Sequence, residues 1–260
     1  MRIVCWFSAG AASAVATRLA LARYHNQEVV VARCIVPEEH EDNDRFAADC
    51  EEWFGRPILN LRSAEYASCE EVWSKRRYMA GPNGAPCTIE MKKAVRWAFE
   101  REFRPDLQVF GYTAEEQDRV DRFKAGNPEV KLASPLISER LRKADCLGMS
   151  DRAGIEIPAM YRLGFKNANC IGCVKATSPA YWNRVRRHFP DVFERRAKLS
   201  RDIGCRLVEL HKERIFLDEL PADAGAGDQE PDMDCSLLCV LAEQKFTHPA
   251  AASPGKEDAQ

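Results

Sequence analysis

The stretch that decides the fold is VCWFSAGAASAVATRLAL, residues Val4–Leu21. An apolar run of strand type, Ile3–Phe7, enters a knot of tiny residues, Ser8-Ala9-Gly10-Ala11-Ala12-Ser13. A helical pattern carrying Val15, Leu19, Leu21 and Ala22 leaves it. In an α/β sheet such a strand-to-helix turn lies at the carboxyl edge, where ligands bind. The helix that follows offers free backbone N–H groups and the positive end of its dipole, which suit an anion. Gly and Ala let a phosphate approach that backbone, and Ser8 and Ser13 add hydroxyl donors. A tight helix–strand crossing is the alternative reason for small residues. The knot has neither the Gly-Lys-Ser ending of a P-loop nor the G-x-G-x-x-G of a dinucleotide turn.

Outward from this unit, apolar runs alternate with amphipathic stretches. Short, continuous runs at 29–36, 58–61 and 107–110 read as buried parallel strands, with helices expected around 45–54 and 88–103. The alternation predicts an α/β fold with a doubly wound parallel sheet. Residues 1–135 form the expected nucleotide-binding core, and 136–240 an appended helical, cysteine-containing region on the same domain. Residues 241–260, ending in HPAAASPGKEDAQ, read as a disordered tail. Gly225-Ala226-Gly227 and Pro231 read as a flexible connection.

A net charge of −2 over 260 residues, 30% of them charged, shows no polyanion-binding excess. No apolar run approaches the ~20 residues of a membrane span, and the first residues read straight into a strand rather than a signal peptide. Eleven cysteines are many for such a chain. They predict metal or redox chemistry in a reducing, cytoplasmic setting rather than a secreted disulfide scaffold.

Asn169-Cys170-Ile171-Gly172-Cys173 holds a C-x-x-C, which can place two thiolates on one metal or cluster; zinc, iron–sulfur and dithiol chemistry are all open. Cys87, in APCTIEMKK, stands at an expected helix start that favours its thiolate.

Ser8–Ser13 resembles a degenerate S-G-G-x-D-S pyrophosphate loop of the N-type ATP pyrophosphatase (PP-loop) and phosphoadenosine-phosphosulfate (PAPS) reductase family, with Ala9 at the first Gly and Ala12 at the Asp. Without that Asp, phosphate binding is the better retained property and ATP cleavage the less. Cys87 before a helix with a distant C-x-x-C resembles the iron–sulfur members of the PAPS-reductase and tRNA-thiolating groups. GYTAEEQDRVDRF (111–123) looks like a second nucleotide segment of that family. SPLI (134–137), GIEIPAMYRLGFKNANCIGCVKA (154–176), YWNRVRRHFPDVFERRAKL (181–199) and IFLDEL (215–220) are also similar to its phage and bacterial members.

The resemblance implies an adenine-nucleotide-alpha-hydrolase-like core binding ATP or PAPS, with or without Mg2+. Ser8, Ala9, Gly10, Ala11, Ala12 and Ser13 would bind it together with Gly111, Tyr112, Arg119 and Arg122. It implies a 4Fe–4S cluster on Cys87, Cys170 and Cys173, three ligands that leave one iron open. A structural zinc site completed by Cys205, Cys235 or Cys239 is the alternative. The implied activity is nucleotide-activated sulfur transfer to an unidentified nucleoside, tRNA or DNA base, or metabolite. One alternative is PAPS or adenylylsulfate reduction, with Cys235 of DCSLLC as nucleophile, Arg119 assisting and a thiol reductant as partner. Another is a non-catalytic nucleotide-binding accessory protein.

Three weaker candidates remain. Glu38-Glu39-His40-Glu41-Asp42 reads as a solvated acidic loop or a metal site; Arg184, Arg186, Arg187 and His188 as a solvated face or a nucleic-acid contact. Trp53, Trp73, Trp97 and Trp182 read as core, and Tyr112 as the aromatic placed for base stacking.

Overall fold

The computed structural model describes residues 1–82, 84–226 and 237–247. The first half runs β1 (Arg2–Trp6), α1 (Ala11–Arg23), β2 (Glu28–Cys34), α2 (Asp42–Phe54), β3 (Ile58–Leu61) and α3 (Cys69–Arg76). Then come α4 (Pro86–Thr88), a π turn (Ile89–Lys93), α5 (Ala94–Phe103), β4 (Leu107–Phe110), α6 (Gln117–Gly126) and β5 (Leu132–Ala133). The second half has α7 (Pro135–Ser138), α8 (Lys143–Arg152), α9 (Ala159–Arg162), α10 (Pro179–His188) and α11 (Pro190–Ile203). A hairpin of β6 (Val208–Leu210) and β7 (Glu213–Ile215) follows, with α12 (Leu237–Thr247) last.

Five parallel strands form one sheet in the order β3-β2-β1-β4-β5. Cys5 in β1 stands opposite Val31 on one side and Val109 on the other. Alternate β1 residues face opposite layers: Ile3, Cys5 and Phe7 pack with residues of α1 and α2, Val4 and Trp6 with Phe99 and Phe103 of α5. Both faces are covered, which is why the strands read as unbroken apolar runs. The chain goes from β1 outward to β2 and β3, then returns to the other side of β1 at β4. The switch point between β1 and β4 is where such folds open a crevice.

Helix α1 is buried on nearly every side, from Ala11 to Ala22. It touches α2, α7, α8, α12 and β4. Alanine is the residue that lets neighbours close in on all faces, so the small-residue run serves packing as well as the loop. Gly111, just past β4, meets the start of α1: a Cβ there would lie 2.7 Å from Ser13 Cα and 2.8 Å from Ser13 N. The crossing therefore demands glycine.

Three expectations change. Residues 241–247 belong to α12 rather than to a disordered tail. Phe246 sits edge-on to Trp53 with ring centroids 5.7 Å apart, and Arg18 lies 5.1 Å over the Phe246 ring. Residues 248–260 lie outside the described residues. Gly225 is no hinge: its φ is +78°, and a Cβ would stand 2.4 Å from Ala180 N, so it is a close-packed turn; Gly227 and Pro231 lie outside the described residues. Trp97 is 44% exposed, unlike the buried Trp73 and Trp182. The π turn inserts a residue ahead of it and rotates the face that helical periodicity assigns. Among the described residues no helix is long and apolar enough to cross a membrane.

Candidate functional site

A cleft of about 740 Å³ opens at the switch point. Ser8, Gly10, Ala12 and Ser13 line it from the β1–α1 turn, Gly111, Tyr112 and Arg119 from beyond β4, and Lys92, Lys93 and Arg96 from the π turn and α5. Ala9 and Ala11 do not line it; both are fully buried. Ala9 holds φ +52°, a left-handed conformation that favours the glycine the family pattern has there.

The loop's donors are partly committed. Ser13 Oγ accepts from Ser8 N at 3.0 Å and donates to Gly10 O at 2.8 Å. The hydroxyl of buried Tyr161 packs against the turn, 3.1 Å from where a Cβ on Gly10 would stand. Because the first intrahelical bond is Ala14 N to Gly10 O, Ala12 and Ser13 supply the helix-end N–H groups on the cleft side. Fewer of the six expected residues therefore face the cleft.

Tyr112 stacks on Phe110 with centroids 5.7 Å apart, and Arg119 lies 5.2 Å over the Tyr112 ring while pairing with Glu116. Arg122 does not line the cleft; its Nε donates to Asp118 O of its own helix at 3.2 Å. Lys143 does line it, on α8, with its ammonium donating to Lys166 O and Asn167 Oδ1. Burial, the first cause, lowers the pKa of Lys143. Cys34, at the carboxyl end of β2, adds a thiol that burial pushes up to about 11.

The cysteine group adjoins the same cleft, which Thr88 and Asn169 line beside Cys87 and Cys170. Cys69, on α3 packed against α4, stands near enough to Cys170 and Cys87 for both to act on its thiol, and with burial they hold it protonated. Cys173 is raised first by burial and next by the charge of Cys170, with Cys87 also acting on it. The structure thus brings Cys87, Cys170 and Cys173 together and adds Cys69. Cys205 is engaged elsewhere, donating to Ala80 O at 3.5 Å, and Cys239 is buried and donates to Asp145 Oδ1 at 3.3 Å. Cys235 lies outside the described residues. Of the candidates for a fourth sulfur, Cys205 and Cys239 are thus engaged elsewhere, and Cys69 is the further cysteine near Cys87 and Cys170.

Local sequence fixes each sulfur. Ser68 Oγ accepts from Glu71 N at 3.0 Å, capping α3 so that Cys69 opens the helix. Gly172, at φ +65°, turns the C-x-x-C loop, and Tyr181 Oη accepts from Cys173 N at 2.7 Å. The contact with Cys69, ahead of the opposing effect of burial, brings the Cys87 thiol down to about 7, with the Trp73 indole N–H and Lys175 adding to it. Burial opposes the Lys92 ammonium, but Glu39 at 2.9 Å and the thiols of Cys170 and Cys34 hold it charged.

The donor set suits a thiolate-bound metal: four cysteines, two nearby lysines, and a buried Trp73 Nε1 without a hydrogen-bond partner, near Cys87. Among the described residues no three His, Cys, Asp or Glu side chains already stand in coordination geometry. The ten described cysteines are free thiols.

In the acidic loop Glu41 is exposed, but Glu39 and Asp42 are taken up by ion pairs within the fold. Glu39 is buried between Arg33 and Lys92, at 3.7 and 2.9 Å, and Asp42 pairs with Arg45 at 2.7 Å and accepts from Ala159 N at 2.6 Å. In the arginine cluster Arg187 and His188 are exposed, as a solvated face would have them, and Arg186 departs from it. Arg186 donates to Leu220 O at 2.8 Å and lies 4.3 Å over Phe193, pinning the segment after β7 to α10 and α11.

Sequence reasoning missed Cys69, Cys34, Lys143 and Tyr161. The S-x-x-E cap at Ser68–Glu71 marked the helix that presents Cys69, and the end of a predicted strand marked Cys34. Nothing local marked the other two. No protein-family model matches the chain, and no curated protein matches it.

Proposed function

We propose that the chain is an adenine-nucleotide-binding enzyme of sulfur transfer, with a thiolate-bound 4Fe–4S cluster beside the nucleotide cleft. One observation carries this reading: four cysteines from α3, α4 and the C-x-x-C loop converge next to a switch-point cleft lined by small residues and cations. Ala12 and Ser13 N–H groups would hold a phosphate, with Lys143, Lys92 and Arg96 supplying charge around it. Tyr112, rigidified by Phe110 and Arg119, would stack the adenine. Cys87, Cys170, Cys173 and Cys69 would hold the cluster, which when bound supplies electron transfer or sulfide carriage. With Cys69 as fourth thiolate no position stays open, so sulfide carriage requires three ligands and a free Cys69. The acceptor class is a nucleoside, nucleic-acid base or metabolite whose oxygen the nucleotide activates.

A specific observation favours zinc as a second reading. Cys170 and Cys87 both act on the Cys69 thiol, and a tetrahedral ion with Zn–S of about 2.3 Å is held by cysteines gathered around one point. Sulfonucleotide reduction through Cys235 is the remaining alternative.

Anaerobic purification with iron, sulfide and zinc analysis decides between cluster and ion. Incubation with ATP and candidate nucleosides then tests transfer: AMP and pyrophosphate formed only with an acceptor support it. Cysteine-dependent sulfite release from PAPS, absent in Cys235→Ser, would replace it with reduction.

A further inference from the structure

Trp97 is the largest of the exposed apolar side chains among the described residues, and the one of them that lines the cleft. A lone exposed tryptophan elsewhere on a surface needs no explanation. Here it offers the cleft a flat apolar face that the nucleotide reading leaves unused, since the adenine is assigned to Tyr112. The π turn at Ile89–Lys93 is what turns it outward, and such turns are frequent at functional sites.

Cations stand before and after it. Lys93 also lines the cleft, and Arg101 continues the line beyond it. Both are exposed, and neither has an ion-pair partner among the described residues. Steps of four residues keep Lys93, Trp97 and Arg101 on one helix face, about 6 Å apart along its axis. Glu100 is taken up by Arg96 at 3.5 Å, and Glu102, though exposed, falls off this face by helical spacing. The cleft lining as a whole carries five cations against three carboxylates, in a chain whose net charge is −2. Two of those carboxylates, Glu39 and Glu116, are held by Lys92 and Arg119.

An aromatic platform set between cations in a basic groove takes a base on the ring and the backbone phosphates on the charges. A duplex keeps its base faces stacked inside and has none to offer Trp97. An acidic peptide would use the cations and leave the ring bare. A mononucleotide held in the cleft would not reach Arg101.

We propose that Lys93, Trp97 and Arg101 bind a single-stranded nucleic acid, with one base stacked on Trp97 and the adjoining phosphates on the two cations. The same helical run carries Cys87 on α4, so the strand follows the wall of the cleft that leads to the cysteine group. That this strand presents the acceptor rests on the sulfur-transfer reading; the binding surface does not.

The test is fluorescence anisotropy on the full chain, without ATP or added metal, using labelled oligo-uridine, oligo-thymidine and an oligo-thymidine–oligo-adenine duplex, each of about 12 nucleotides. The single strands are expected to bind with a Kd of about 1–100 µM that weakens with salt, and the duplex at least about tenfold more weakly. Trp97→Ala should weaken the single strands about tenfold with an unchanged unfolding midpoint, and Trp97→Phe should keep most of the affinity. Lys93→Gln should flatten the slope of log affinity against log salt by about 0.7. Arg187→Ala, at an exposed cation on α10, should change nothing. Preference for the uridine or the thymidine strand names the sugar, and either supports the surface. Strand binding with no sulfur transfer to the strand upholds the surface and removes the acceptor assignment alone. Duplex binding as tight as single-strand binding, Trp97→Ala binding like the parent, Arg187→Ala weakening as much as Lys93→Gln, or no binding up to about 100 µM would overturn the proposal. So would displacement of the strand by ATP, which would return Trp97 to the nucleotide's own base.

Discussion

The small-residue loop and the cysteine group adjoin one cleft but are built in opposite ways. The loop is one unbroken stretch, Ser8–Ser13, whose conformation follows from the strand before it and the helix after it. The cysteine group gathers sulfurs from α3, α4 and the loop after α9, segments far apart in the chain. The contiguous half is organised largely by its own backbone and hydroxyls. The dispersed half exists only when the sheet and its flanking helices are in place, and substitutions should separate the two.

The largest effect is expected at Cys87. Cys87→Ala should abolish bound metal, read by metal analysis and absorption, while Cys205→Ser and Cys239→Ser leave it in place; equal loss in all three would mean that the group is not one site. Cys69→Ser sharpens this, since retained metal means three ligands and lost metal means four.

Next is Gly10→Leu. A Cβ there already meets Tyr161 Oη at 3.1 Å, so a larger side chain fills the cradle. Nucleotide binding should vanish while metal content and the far-UV circular dichroism spectrum persist. Loss of metal as well would break the separation of the halves.

Gly111→Ala tests the crossing on which the loop rests. The added methyl meets backbone of α1, which cannot move aside as a side chain can, and should destabilise the fold by about 1–3 kcal/mol in denaturant unfolding.

A smaller effect is expected at Asp42, which ties α2 to the start of α9 through Arg45, Ala159 N and Arg162. The Arg45 hydrogen bond, opposed by burial and reinforced by the Ala159 N–H, holds its carboxyl below the usual 3.8. A depressed pKa contributes stability in full above the unfolded value and loses it as pH falls through the folded one. Asp42→Asn should therefore cost about 1–2 kcal/mol at pH 7, and the gap to the parent should shrink steadily below pH 3.8. Smallest is Phe246→Ala, which removes the Trp53 and Arg18 contacts and should cost about 1 kcal/mol without altering metal or nucleotide.

The sheet was legible because its signals are local. Runs 58–61 and 107–110 coincide with β3 and β4, since a strand buried on both faces must be continuously apolar. Leu132–Ala133 was not legible: a strand of two residues has no periodicity to read. The hairpin of β6 and β7 escaped for the same reason. Trp97 was misread because the π turn breaks the helical register between Cys87 and it. Residues 241–247 were read as tail because α12 is held by partners on other segments: Glu243 by Arg152, Lys245 by Glu139, Phe246 by Trp53.

By itself the sequence determined the parallel α/β core and the small-residue turn at its carboxyl edge, because strand burial and helix starts are properties of neighbouring residues. Tertiary structure alone decided that Cys69 stands near Cys87 and Cys170, that Tyr161 Oη packs against the turn at Gly10, and that buried Arg196 joins Glu70 to Trp73. Each of these depends on which distant segments the sheet order brings beside one another, and no local pattern encodes that distance.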